Sequence, residues 1–256
     1  MKTRDKILFF AAVTVLILCE IAGRILHPDA EWFPMAETIL TRLIGAAVFV
    51  FLIRRMGYRV LGRPVLQGDR YVPLLALLVA LNNLPWIGLV TGHAKIEAGS
   101  LLLALFAVEC IAVGLFEELA FRGFLLPYCL TLTRGRPHSV LLAAFLSSAV
   151  FALVHLVNLF SGGSPGAVIM QIGYSFLIGG MCACVLVASR SVWLCAAIHA
   201  VYNFCGTVVP RLGEGNGWDP VTVTLTVLLG LAAAFLLVRF LWRTDEREAE
   251  ALCITK

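Results

Sequence analysis

Residues 99–126 read GSLLLALFAVECIAVGLFEELAFRGFLL. The stretch is apolar on every side and longer than the roughly 20 residues a helix needs to cross bilayer hydrocarbon. It nevertheless holds Glu109, Glu117, Glu118 and Arg122 in its interior. Each ionisable group at such depth costs on the order of 2.5–3.5 kcal/mol by insertion scales, so these side chains must face a bundle interior or a wet cavity. The fold class follows: an all-α, polytopic membrane helix bundle with polar chemistry inside it.

The surrounding sequence agrees. Of 256 residues, 60% are hydrophobic and 14% charged, where a soluble domain carries roughly a quarter charged. The mean hydropathy is +0.92. The apolar residues fall in long blocks, not in the stripes of soluble amphipathic helices. Eight spans are predicted, at Ile7–Leu26, Thr38–Ile53, Pro73–Thr91, Gly99–Leu126, Ser139–Phe160, Gly166–Ala188, Val192–Val209 and Val221–Trp242. The second is short, and the fourth is long enough to tilt or to extend beyond the membrane. The longest connection, Arg54 to Val72, is too short for a soluble domain, and no internal repeat is apparent. The whole chain, 1–256, reads as one membrane domain with its motif-bearing core at about 99–209.

The net charge of +4 comes from arginines placed between apolar blocks. That is membrane topology, not a nucleic-acid-binding face. Lys2, Arg4 and Lys6 precede span one; Arg54, Arg55, Arg59, Arg63 and Arg70 follow span two. Arg134 and Arg136 follow span four, Arg190 follows span six, and Arg243, Arg247 and Lys256 close the chain, whereas the alternate loops hold few cations. A multi-pass protein of the cell membrane with both termini cytoplasmic is expected. The basic, then apolar start resembles a signal peptide but lacks a small-x-small cleavage site, so an uncleaved first helix is expected. The eight cysteines lie mostly in or beside apolar spans, and Cys182 and Cys184 match no common zinc spacing, so they read as packing residues.

Three spans concentrate the polar groups. Span four has those named above, span five has His155 and Asn158, and span seven has His199 and Asn203. Glu118 and Arg122 stand one turn apart, at i, i+4, and can pair along the helix. Glu117 is turned about 100° from its neighbour, free to point elsewhere. His199 and Asn203, also i, i+4, share one face. Three helices thus offer a carboxylate, two imidazoles and a carboxamide to a common cavity: a general base, its partner, and donors for an oxyanion.

The ordered patterns Glu117-Glu118-x-x-x-Arg122, Phe151-x-x-x-His155 and His199-x-x-x-Asn203 resemble the CAAX protease and bacteriocin-processing (CPBP, or Abi) family of intramembrane proteases. The resemblance implies an endopeptidase that hydrolyses a peptide bond of a membrane-associated protein or peptide, whether a CAAX-type end, a bacteriocin or a sorting signal. It implies that Glu117, with His155, activates the attacking water, that His199 and Asn203 bind the oxyanion, and that Glu118 and Arg122 support them. Members are described both as metal-free glutamate proteases and as metalloproteases. The cofactor expectation is therefore none, or one zinc-like divalent ion held by Glu117, His155 and His199. The expected partners are the bilayer and a membrane-associated peptide or protein substrate, with no nucleic acid. Two competing classes are an ion-coupled transporter, in which such groups relay protons, and a catalytically silent immunity or scaffold protein. The ordered motifs favour the protease.

One feature conflicts with a shared site. Measured from the cytoplasmic ends of the predicted spans, His155 lies about 10 Å deeper than Glu117 and His199.

Overall fold

A computed structural model describes Thr14 and residues 32–65, 69–215 and 218–252. Apart from Thr14, predicted span one lies outside the described residues, as do the cations ahead of it and Cys253. Within them, seven helices are long and apolar enough to cross a membrane, and the chain is a multi-pass all-α protein. The helices are α1 (Trp32–Met56), α2 (Tyr71–Asn82) with the short α3 (Trp86–Thr91), α4 (Ser100–Glu118), α5 (Leu126–Thr133), α6 (Ser139–Val154), α7 (Pro165–Ser189), α8 (Val192–Leu212) and α9 (Pro220–Arg243), followed by the single turn α10 (Glu246–Glu250). A π-helical segment, Leu119–Leu125, joins α4 to α5 into one long span, and a 3-10 segment, His155–Ser161, ends the α6 span. Strands β1 (Ala94–Ile96) and β2 (Gly213–Gly215) pair antiparallel at the end of the bundle where α4 begins and α8 finishes.

The spans differ from the predicted ones in instructive places. Helix α1 already includes Trp32, six residues before the predicted Thr38, although Pro34 and Glu37 lower the local hydropathy there. The predicted third span is broken at Asn83-Leu84-Pro85. Its two asparagines serve as interhelical glue: Asn82 Nδ2 donates to Thr226 Oγ1 of α9 (2.9 Å) and Asn83 Nδ2 donates to the Tyr202 carbonyl of α8 (3.1 Å).

The depth conflict dissolves in the fourth span, which runs on to Thr133 and not to Leu126. Glu117 lies sixteen residues before the end of α5, and His155 lies sixteen after Ser139, the start of α6. Those two helices meet at one turn, so both groups reach the same level. His199 stands only seven residues into α8; that helix begins deeper, by about 13 Å at 1.5 Å per residue. The segment after α1 fills the space below it. Val192 N–H donates to the Val60 carbonyl (2.9 Å), Trp193 Nε1 to Leu61 (2.8 Å), and Ser191 Oγ to Gly62 (2.9 Å).

On the same side, α10 clasps the α5–α6 turn. Glu246 Oε1 accepts from Gly135 N–H (2.7 Å), Arg134 pairs with Glu250, and His138 stacks on Trp242 with ring centroids 3.7 Å apart. Arg59 N–H donates to the Leu252 carbonyl (2.9 Å), which ties the α1 exit to the same clasp.

Candidate active site

Helices α4 and α8 approach closely because small residues line their contact. A Cβ at Gly114 would stand 3.0 Å from both the Ala196 carbonyl oxygen and the Ala200 nitrogen. In membranes, where lipid is as apolar as leucine, such small-residue seams are what bring helices together. This seam sets Glu117 and Glu118 beside His199, one turn further along.

The two glutamates diverge as their spacing requires. The Glu118 side chain is fully buried, and so is Arg122. Arg122 Nη1 donates to Glu118 Oε1 (3.0 Å), and His199 Nδ1 donates to the same oxygen from another helix (2.7 Å). Glu117 is 18% exposed and points into a cavity, with its Oε2 3.5 Å from His199 Nε2. The glutamate therefore fixes the ring: with Nδ1 carrying the proton toward Glu118, Nε2 is the nitrogen that faces Glu117. Space for the Arg122 guanidinium comes from Gly179 on α7, where a Cβ would lie 3.0 Å from Nη2.

His155 is held in a similar way. It sits where α6 passes into the 3-10 segment, and its Nδ1 donates to the Phe151 carbonyl (3.0 Å). A carbonyl oxygen only accepts, so the proton is on Nδ1 and Nε2 is the ring's second nitrogen for the cavity. Asn158 Nδ2 donates to Gln171 Oε1 (2.8 Å), and Gly163 N–H donates to the Asn158 carbonyl (3.0 Å), which pins the 3-10 segment to α7.

Glu117, His155, His199 and Asn203 all line one cavity of about 310 Å³ between α4, the end of the α6 span, α7 and α8. Its far end holds Glu109, Phe106 and Arg211. Arg211 meets the Glu109 carboxylate through Nη1 and Nη2, both at 3.3 Å, and lies 5.2 Å over the Phe106 ring. Among the residues that sequence reading left without a role, Phe151 stands out. Its ring lies under Arg122 at 4.4 Å and meets both histidines edge-on, at 5.2 Å for His155 and 6.0 Å for His199. The i, i+4 spacing to His155 was the available signal; the cross-helix contacts had none. Gln171 and Tyr174 line the cavity equally without a sequence signal.

A divalent ion needs donors gathered at one point. Among the described residues, the group with ligand atoms within 4.8 Å of one another is Glu118, Cys182 and His199. Those donors are committed, since Glu118 Oε1 and His199 Nδ1 bond each other and the Arg122 cation shares that oxygen. Glu117, His155 and His199 line the cavity without being gathered that tightly. As arranged, neither set presents three uncommitted donors to one point.

Residues 98–205 match a family model described as Type II CAAX prenyl endopeptidase Rce1-like. That interval contains Glu117, Glu118, Arg122, His155, His199 and Asn203, and it ends before Arg211. No curated protein and no solved structure matches the chain.

Proposed function

We propose, from a chain whose residues 98–205 match the Rce1-like CAAX endopeptidase family model, that this protein hydrolyses a peptide bond of a membrane-associated protein or peptide, using water activated by Glu117 without a metal ion. The observation that carries this reading is the pinning of both histidines by Nδ1, which leaves Nε2 as the second nitrogen of each ring, while both rings line the cavity that Glu117 enters.

The chemistry then runs on residues of this chain. A water between Glu117 and His155 donates one hydrogen to the carboxylate and the other to His155 Nε2. As its oxygen attacks the carbonyl carbon, Glu117 takes the proton. The carbonyl oxygen becomes an oxyanion, which accepts hydrogen bonds from Asn203 Nδ2 and from His199 Nε2 in its doubly protonated form. Removing one such donor typically costs a factor of 10²–10³ in rate. The C–N bond breaks as the protonated Glu117 returns its proton to the leaving amine. Phe151, whose carbonyl holds His155, and Glu118, which holds His199, keep the two rings in register.

Comparative terminal proteomics of membranes carrying the wild-type chain or Glu117→Gln tests the proposal. The expected result is a set of protein termini present only with Glu117, at equal abundance of the two proteins. Identical termini in both would remove the basis for a protease.

A further inference from the structure

The end of the cavity opposite Glu117 holds a pair of charges that the chemistry above does not use. Glu109 is buried, with its side chain 8% exposed, whereas the Arg211 side chain is 44% exposed and lines the same cavity. Arginine has five donors in a rigid fork. Glu109 engages the two terminal nitrogens and Phe106 lies beneath the guanidinium. The group is thus held still by one carboxylate while keeping donors for another.

The distance along the cavity is set by α4. Glu109 precedes Glu117 by eight residues, about 12 Å of helix. An extended peptide covers about 3.3 Å per residue, so the span corresponds to three or four residues.

We infer that Arg211 is a specificity-determining anchor for a substrate carboxylate lying three or four residues beyond the scissile bond, with Glu109 and Phe106 orienting its fork. The inference rests on the proposed protease reading and adds the chemistry by which the substrate is measured. The carboxylate belongs either to a chain terminus or to an acidic side chain. Arg211 lies outside the segment that matches the family model, whereas Glu109 and Phe106 lie within it.

The test is a binding measurement on full-length protein carrying Glu117→Gln, which cannot cleave. Three fluorescent probes are used: an apolar hexapeptide with a free C-terminus, its C-terminal amide, and the amide ending in glutamate. Hydrogen bonds to a charged group predict that the free acid binds about 10- to 100-fold more tightly than the plain amide. Adding Arg211→Gln should bring that ratio close to one, and Arg211→Lys, which keeps the charge but not the fork, should leave an intermediate ratio. Binding of the glutamate-ended amide like the acid assigns the anchor to any carboxylate; binding like the plain amide assigns it to the chain terminus. Equal binding of acid and plain amide overturns the anchor. So does a preference that survives Arg211→Gln while the melting temperature falls, the mark of a purely structural pair. If the protease reading alone were wrong, the wild-type protein would leave all three probes uncut while the binding preference persisted.

Discussion

One oxygen, Glu118 Oε1, serves two helices by accepting from Arg122 and from His199 at once. Half of this was legible in the sequence. The i, i+4 spacing gave the Arg122 pairing, and the 100° turn gave the divergence from Glu117. The His199 partner was not legible, because 81 residues and another helix separate it from Glu118, and no local period reports a contact across a helix seam. The difference has measurable effects. Glu118→Ala leaves Arg122 buried and unpaired, an error of about 3–5 kcal/mol, so the variant should melt lower and lose cleavage. Glu118→Ala with Arg122→Ala should recover much of the melting temperature, since no uncompensated charge remains, but not the cleavage, since His199 has still lost its Nδ1 acceptor. Recovery of both in the double variant would show that Glu118 acts only through the arginine. Glu117→Gln should do the opposite, with normal melting and no cleavage.

Helices and their seams were legible as far as hydropathy carries. Among the described residues, seven spans lie where apolar blocks lie, with ends misjudged where polar residues or the π segment intervened. Hydropathy does not register that segment, for its residues are as apolar as the helices around it. Its Phe121 carbonyl accepts from Leu126 N–H and also from Ser147 Oγ of α6 (3.1 Å), so a neighbouring helix adds a second bond to the widened backbone. The glycines allow a sharp contrast. At Gly179 a Cβ would stand 3.0 Å from Arg122 Nη2 and Ser148 Cβ, whereas at Gly180 it would meet nothing within 4 Å. Gly180→Ala should therefore keep cleavage, and with alanine's better helix propensity should not lower stability. Gly179→Val should displace the guanidinium and reduce cleavage and melting temperature together. Asn83→Leu, which removes the bond to the Tyr202 carbonyl, should cost about 1 kcal/mol, near the range of single interhelical hydrogen bonds in membranes. That corresponds to roughly 2–4 °C of melting temperature for a chain of this size. Thermal melts of these variants in one detergent, beside a cleavage assay, decide each case.

Across the whole molecule, charge pattern and shape bear on different questions. The alternating arginines predict that the α5–α6 turn faces the cytoplasm; reporter fusions at Arg136 should read cytoplasmic and fusions at Gly163 external, and a reversal at both would invert the topology. Metal content is a second molecular property. Purified protein that cleaves should keep its rate after chelation and dialysis, and loss of activity restored by added zinc would assign the chemistry to an ion. The clasp of Glu246 on Gly135, with Leu252 holding Arg59, carries a consequence in time. Every group of the proposed mechanism has been made by Asn203, yet the turn that sets the shared depth of Glu117 and His155 gains this clasp only when residues 246–252 have been made. A chain cut short within α9 would thus hold every hydrolytic group in an unfastened bundle, so the fastening of the turn is ordered in time after the making of the groups it steadies.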